Sequence, residues 1–200
     1  MVEKNYYLSP TFTKFPVLKM IKDDNELVYE MIHGNISSFE MLIDRHQRTI
    51  FNIILRMVGD FETARDLTQD VFVKAFEKMG GFNFKYRFFS WIYRMAINEA
   101  INYNKKRPKN ISLTGIDPIW AENSEASDYE LSNRLLYDGL LNLTDNYRIL
   151  VLLKYYCGLS YEDIAEVTQI PVKKVRSRLF IAREKLRRGL IANGFFENDR

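Results

Sequence analysis

Between Pro171 and Arg188 the chain carries eight basic residues and one acid, Glu184. Val172, Val175, Leu179, Ala182 and Leu186 recur there at spacings of three and four, the stripe of an amphipathic helix. Lys173, Lys174, Arg176, Arg178, Arg183, Lys185, Arg187 and Arg188 lie off that stripe. A solvated helix normally mixes the signs of its charges. A face this uniformly cationic suits phosphates, whose neutralisation supplies a large share of affinity for nucleic acid.

A second set runs from Gly81 to Arg107. Phe82, Phe84, Tyr86, Phe88, Phe89, Trp91 and Tyr93 are interleaved with Lys85, Arg87 and Arg94. Aromatic faces stack unpaired bases, at about 1–3 kcal/mol per base, while neighbouring cations follow the backbone. The stretch reads as a platform for single-stranded nucleic acid. Part of it reads as core, since Phe88, Ile92, Met95 and Ala96 share one helical side. Arg87, Trp91, Arg94, Asn98 and Lys105 share another. A third set, Asp66, Gln69 and Asp70, lies on the polar side of ARDLTQDVFVKAF. No catalytic partner is near. These residues read either as solvated or as a docking face for a basic protein surface.

Helices must hold all three sets. Asp24 opens one through Leu27, Val28, Met31 and Ile32, and Gly34-Asn35 stops it. Ser37 with Glu40 has the pattern of a capping box. It opens a long helix through Phe39, Leu42, Ile43, Ile50, Ile53, Ile54 and Met57, ended by Gly59. Asp60 caps a third, with Ala64, Leu67, Val71, Phe72, Ala75 and Met79 on its stripe, ended by Gly80-Gly81. A fourth runs from about Phe88 to Arg107, where Pro108 ends it. Then the character changes. Residues 110–130 hold five acids and no Lys or Arg, the composition of a linker. Leu131 to Leu143 is helical, and Thr144 caps a helix through Ile149, Leu150, Leu152 and Leu153 to Gly158. Ser160 with Asp163 forms another capping box, ahead of Ile164, Ala165 and Val167. Thr168-Gln169-Ile170 breaks the helix, and Pro171 sits in the first turn of the basic helix. A capped short helix, a tight turn and a basic helix make a helix-turn-helix, which puts the second helix into the major groove.

The expected fold is all-α: two small helical domains joined by an acidic linker, the C-terminal one a helix-turn-helix. The boundaries are an arm at 1–22, a first domain at 23–109, the linker at 110–131, a second domain at 132–190 and a tail at 191–200. Phe195-Phe196 is expected to fold back on the second domain. Charge follows this division. With +6 in residues 85–109, +7 in 171–188 and +3 overall, the remainder carries −10. Two basic contacts on an acidic body suit two separate meetings with nucleic acid.

The single Cys157 excludes an internal disulfide and a multi-cysteine zinc site. The longest aliphatic run, Ile149 to Leu153, is too short to span a bilayer. The N-terminus has no apolar core of signal-peptide length, so the expected location is cytoplasmic. No phosphate-cradling glycine loop, nucleophile triad or metal cluster is legible, so the expectation is a non-enzyme with no cofactor.

Together these motifs resemble a sigma factor of bacterial RNA polymerase, of the compact extracytoplasmic-function group, over about Asp24 to Leu190. GDFETARDLTQDVFVKAF resembles the polymerase-docking helix, FFSWIYRMAIN the promoter-melting segment, and LSYEDIAEVTQIPVKKVRSRLFIAREKL the region 4 helix-turn-helix. The resemblance implies that 23–109 is region 2 and 132–190 is region 4. It implies docking of Asp66, Gln69 and Asp70 on the clamp coiled coil of the largest polymerase subunit. It implies a further contact with the flap region of the second largest subunit. It implies minus-ten DNA contacts by Phe84, Lys85, Tyr86, Arg87, Trp91, Arg94 and Asn98, with the loop from Gly81 to Phe88 capturing a flipped base. It implies minus-thirty-five contacts by Lys173, Lys174, Arg176, Ser177 and Phe180, with Arg178 and Arg183 on phosphates. The implied partners are core polymerase, promoter DNA in duplex and single-stranded form, and an anti-sigma protein. The acidic linker would thread toward the RNA exit path. Arg87 stands where many members have a small polar residue, Lys173-Lys174 where small residues are common, and Ile181 where a basic one is frequent.

Two other readings use fewer of these features. A stand-alone helix-turn-helix regulator leaves the aromatic stretch idle. A metal-dependent nuclease needs a second acidic cluster that the first domain lacks. A chain that occupies polymerase without opening DNA would carry the same motifs.

Overall fold

A computed structural model of the chain describes residues 22–106 and 128–192. The expected arm, linker and tail lie outside these residues except at their edges, as does Phe195-Phe196. All regular structure among the described residues is helical. The first bundle comprises α1 (Asp24–Ile32), α2 (Ile36–Val58), α3 (Phe61–Lys78) and α4 (Phe88–Lys106). The second comprises α5 (Asp128–Leu141), α6 (Asp145–Val151), α7 (Tyr161–Thr168) and α8 (Val172–Ala192). In the first, α2 packs against α1, α3 and α4. In the second, α8 packs against α5, α6 and α7.

Local signals set most helix ends. Asp23, one residue before the expected start, caps α1 in a reciprocal box with Glu26. Gly59 ends α2 in the left-handed conformation, at φ 76°, where a side chain would be strained. Asp60 accepts from the Thr63 N–H at 2.8 Å and caps α3. Ser160 and Asp163 form the expected box on α7: the Ser160 hydroxyl accepts from the Asp163 N–H at 3.0 Å, and Asp163 Oδ2 from the Ser160 N–H at 3.2 Å.

Three ends differ from expectation. Ser37 and Glu40 form no capping box, because α2 already begins at Ile36. Glu30 of α1 draws in the start of α2, accepting from the Ser38 hydroxyl at 2.6 Å and the Asn35 side chain at 3.3 Å. Thr144 occupies the cap position of α6, but its side chain makes no capping bond. Pro171 stands just ahead of α8 rather than in its first turn, and its carbonyl accepts from Lys174 and Val175. After α6, residues 152–156 form one π turn, and Gly158, at φ 68°, closes it.

Phe88 and Ile92 of α4 are fully buried beside Leu42, Ile50, Ile53 and Ile54 of α2. Burying each such side chain contributes about 1.5–3 kcal/mol. Leu150, Leu153 and Ile164 do the same for the second bundle. The bundles also meet. α4 packs against α7, and α2 against α5 and α6. Buried Arg148 pins this seam. It donates to the carbonyls of Leu140 (2.9 Å) and Leu141 (2.6 Å) at the end of α5 and of Leu143 (2.9 Å) just after it, and across the seam to Met57 O at 2.7 Å. Asn104 of α4 donates to the same Met57 carbonyl at 3.0 Å and to Asp145 Oδ1 at 3.2 Å.

Candidate nucleic-acid interface

The aromatic stretch divides by burial. Phe82 and Phe88 are buried, and Trp91 packs on both, with ring centroids 5.5 and 5.8 Å away. Phe84 (47% exposed) and Tyr86 (42% exposed) stand out between those anchors. Lys85 and Arg87 are exposed beside them. Tyr93, grouped above with the platform, is buried and belongs to the core, where burial pushes its phenol up to about 12.

The loop is held by side-chain bonds to its backbone. Asn83 Oδ1 accepts from the Lys85 N–H at 3.0 Å, and Asn83 O from the Tyr86 N–H at 3.0 Å, a local turn. Asn25 of α1 bonds the other side. Its amide donates to Tyr86 O at 3.3 Å, and its oxygen accepts from the Phe88 N–H at 3.1 Å. Neighbouring Asp24 ties α1 to α2 through Arg45 at 3.0 Å and His46 at 2.7 Å. Burial raises the Asp24 pKa, but the bonds and charges of His46 and Arg45 more than offset this, so it lies below the usual carboxylate value. Sequence alone does not single out Asn25. An Asn at a helix start looks like a cap, and nothing local points to partners 61 and 63 residues away.

On α4, Trp91 and Arg94 are half-buried and Asn98 is exposed, continuing one side of the helix away from the loop. Arg87 and Arg94 both reach oxygen atoms of α7. On α8, Lys173, Lys174, Arg176, Ser177, Phe180 and Arg183 are exposed and Arg178 half-buried. Phe180 is 59% exposed although its side chain is large and apolar. Arg176 lies 3.7 Å from Glu162 and over the Tyr161 ring, at 5.2 Å. Arg183 donates to the Tyr155 hydroxyl at 3.4 Å. The loop and the basic half of α8 are thus brought onto one molecule, on different bundles.

Asp66, Gln69 and Asp70 are exposed on α3. Val73 extends their face by one turn and is 57% exposed, with Phe76 (45%) next to it. The sequence stripe passed over both, since neither falls on the core positions. An acidic face flanked by exposed apolar side chains is suited to protein contact. Among the described residues no three His, Cys, Asp or Glu side chains converge as a metal site would need. None of the described helices is long and apolar enough to cross a membrane.

Comparison with known proteins decides among the readings. Residues 42–109 match the family Sigma-70 region 2, and residues 133–186 match Sigma-70, region 4. The RNA polymerase sigma-H factor of Pseudomonas aeruginosa is 34% identical over 182 residues, covering 84% of this chain and 94% of that protein. The ECF RNA polymerase sigma-E factor of Escherichia coli is 31% identical over 176 residues, covering 82% and 92%. The chain belongs to the extracytoplasmic-function sigma factors of RNA polymerase. Its fold is also that of CnrH, solved in complex with the cytosolic domain of CnrY, at a TM-score of 0.68 and 23% identity over 84% of this chain and 97% of that one. As a sigma factor the protein is a promoter-specificity subunit, and its two bundles correspond to regions 2 and 4. The stand-alone regulator leaves region 2 unexplained.

Proposed function

We propose that this sigma factor divides its work among three surfaces. The α3 face of Asp66, Gln69, Asp70 and Val73 docks on the clamp coiled coil of core polymerase. The exposed residues of α8, from Lys173 to Arg183, read the minus-thirty-five element in the major groove. There a good bidentate contact is worth about 1–3 kcal/mol. Phe84, Lys85, Tyr86 and Arg87, with Trp91, Arg94 and Asn98, bind the melted minus-ten strand. Stacking one extruded base there offsets the few kcal/mol that unpairing costs. Melting is driven by binding alone, and the chain carries no catalytic step. It works in the cytoplasm. Its further partners are the polymerase flap, met by the second bundle, and an anti-sigma protein. The structural relatives named in complex with CnrY and NepR support that last assignment.

One observation carries the minus-ten reading: Phe84 and Tyr86 are exposed on a loop whose two ends are anchored by buried Phe82 and Phe88. Rings held out from a rigid base are ready to stack without further ordering. The test is transcription from a randomised promoter library with core polymerase, with and without the chain. Initiation that depends on the chain, with enriched sequence at two separated elements, is the expected result. Enrichment upstream alone would remove the role given to the loop.

A further inference from the structure

Arg87 and Arg94, the cations assigned to the minus-ten strand, are already engaged inside the chain. Arg87 donates to the Asp163 carboxylate of α7 and lies 3.6 Å from Glu166 Oε2. Its backbone N–H donates to Glu166 Oε1 at 3.1 Å. Arg94 takes the other end of the same helix, donating to Glu166 O at 2.6 Å and Val167 O at 3.0 Å. Carbonyls at a helix C-terminus gather about half an elementary negative charge. So α7 presents two carboxylates and two carbonyls in a row. These are the acceptors that a phosphate backbone would present to the same guanidinium groups.

We propose that α7 is a built-in mimic of nucleic acid, which occupies the Arg87–Arg94 face of α4 in competition with promoter DNA. The inference rests on the minus-ten assignment of those two residues. Distance makes the competition unavoidable. The two promoter elements lie roughly 25 base pairs apart, about 85 Å of duplex at 3.4 Å per pair. In this arrangement α4 and α7 touch. One chain cannot keep that contact while α8 and the loop each sit on their own element. The contact is also built to part. The Arg87 side chain is 55% exposed, and ion pairs so open to water are screened by salt. The rest of the seam is rich in directional polar bonds, through Arg148, Asn104 and Met57 O. Domains separate more readily across such a surface than across an apolar one.

The test compares the full-length chain with Glu166→Gln, which removes one acceptor for Arg87 without touching the cap of α7. Glu40→Gln, on α2, is the control for lost charge. Two quantities are read: the radius of gyration by small-angle X-ray scattering, and affinity for a fluorescein-labelled twelve-nucleotide single strand of random sequence. Glu166→Gln should expand the chain and tighten oligonucleotide binding by about five-fold or more, with Glu40→Gln unchanged. Equal compactness and equal affinity in all three would overturn the proposal. Expansion without tighter binding would retain the contact but remove Arg87 and Arg94 from the minus-ten surface. Reciprocity supplies a second measurement that needs no variant: oligonucleotide bound to the wild-type chain must expand it. A wild-type complex that stays compact would also overturn the competition.

Discussion

Asn25 is assigned no contact with a base, yet both of its side-chain bonds go to the loop that carries Phe84 and Tyr86. Each neutral bond is worth about 0.5–1.5 kcal/mol. Asn25→Ala should therefore weaken capture of a melted minus-ten strand by roughly ten-fold, with core polymerase affinity unchanged. Fork-junction binding by the holoenzyme is the measurement. Asn25→Asp keeps the acceptor for Phe88 and should lose less. Arg176 makes the contrasting case. It is exposed, held loosely by Glu162 at 3.7 Å, and free to turn toward a base edge. Arg176→Ala should relax selectivity at one or two upstream positions by about 1–3 kcal/mol per pair. A promoter library would reveal it, and equal loss on every sequence would contradict base reading. The difference between these residues is one of legibility. Arg176 announces itself by type within a cationic helix, whereas Asn25 acts through partners that no local pattern links to it.

At the scale of helices, caps written within four residues were readable and caps that depend on a neighbouring helix were not. Asp60 and the Ser160–Asp163 box close within their own turns. Ser37–Glu40 has the same spelling but loses to Glu30, which reaches across from α1. Ser160→Ala should cost about 0.5–2 kcal/mol of stability, read by urea unfolding, and should loosen the helix-turn-helix as a unit. The α3 face behaves differently, because its residues are exposed and stabilise little. Asp66→Ala with Asp70→Ala should leave stability within about 0.5 kcal/mol while lowering core polymerase affinity in a direct binding assay. Unchanged affinity would withdraw the docking assignment. Val73 and Phe76 complete that face, and only burial separates them from the neighbouring core positions.

For the molecule as a whole, the composition and periodicity were enough for two helical bundles, but the seam between them was not legible. Its bonds join residues 41 to 91 positions apart, and an arginine inside an apolar run, Arg148, gives no hint that Met57 O awaits it. Acid should act on the assembly through its paired carboxylates. Asp24 and Asp163 both sit below their ordinary value of 3.8, despite partial burial that raises them. Their contribution is therefore complete above 3.8 and is lost as pH falls through the lower folded values. Between pH 7 and pH 3 the wild-type chain should lose more stability than Asp24→Asn, measured by urea unfolding at each pH. Equal losses would mean that Asp24 adds nothing to acid sensitivity.

Asp163 is bound through both oxygens, one by the Ser160 N–H and the other by Arg87. The same carboxylate thus closes the first turn of α7 and holds that helix on α4. Inherited change at this position would alter the two effects together, so a lineage could not tune readiness for promoters there without fraying its DNA-reading fold. Glu166 carries no such second duty at the start of the helix. Natural variation among near descendants of this chain should accordingly gather at Glu166 and spare Asp163.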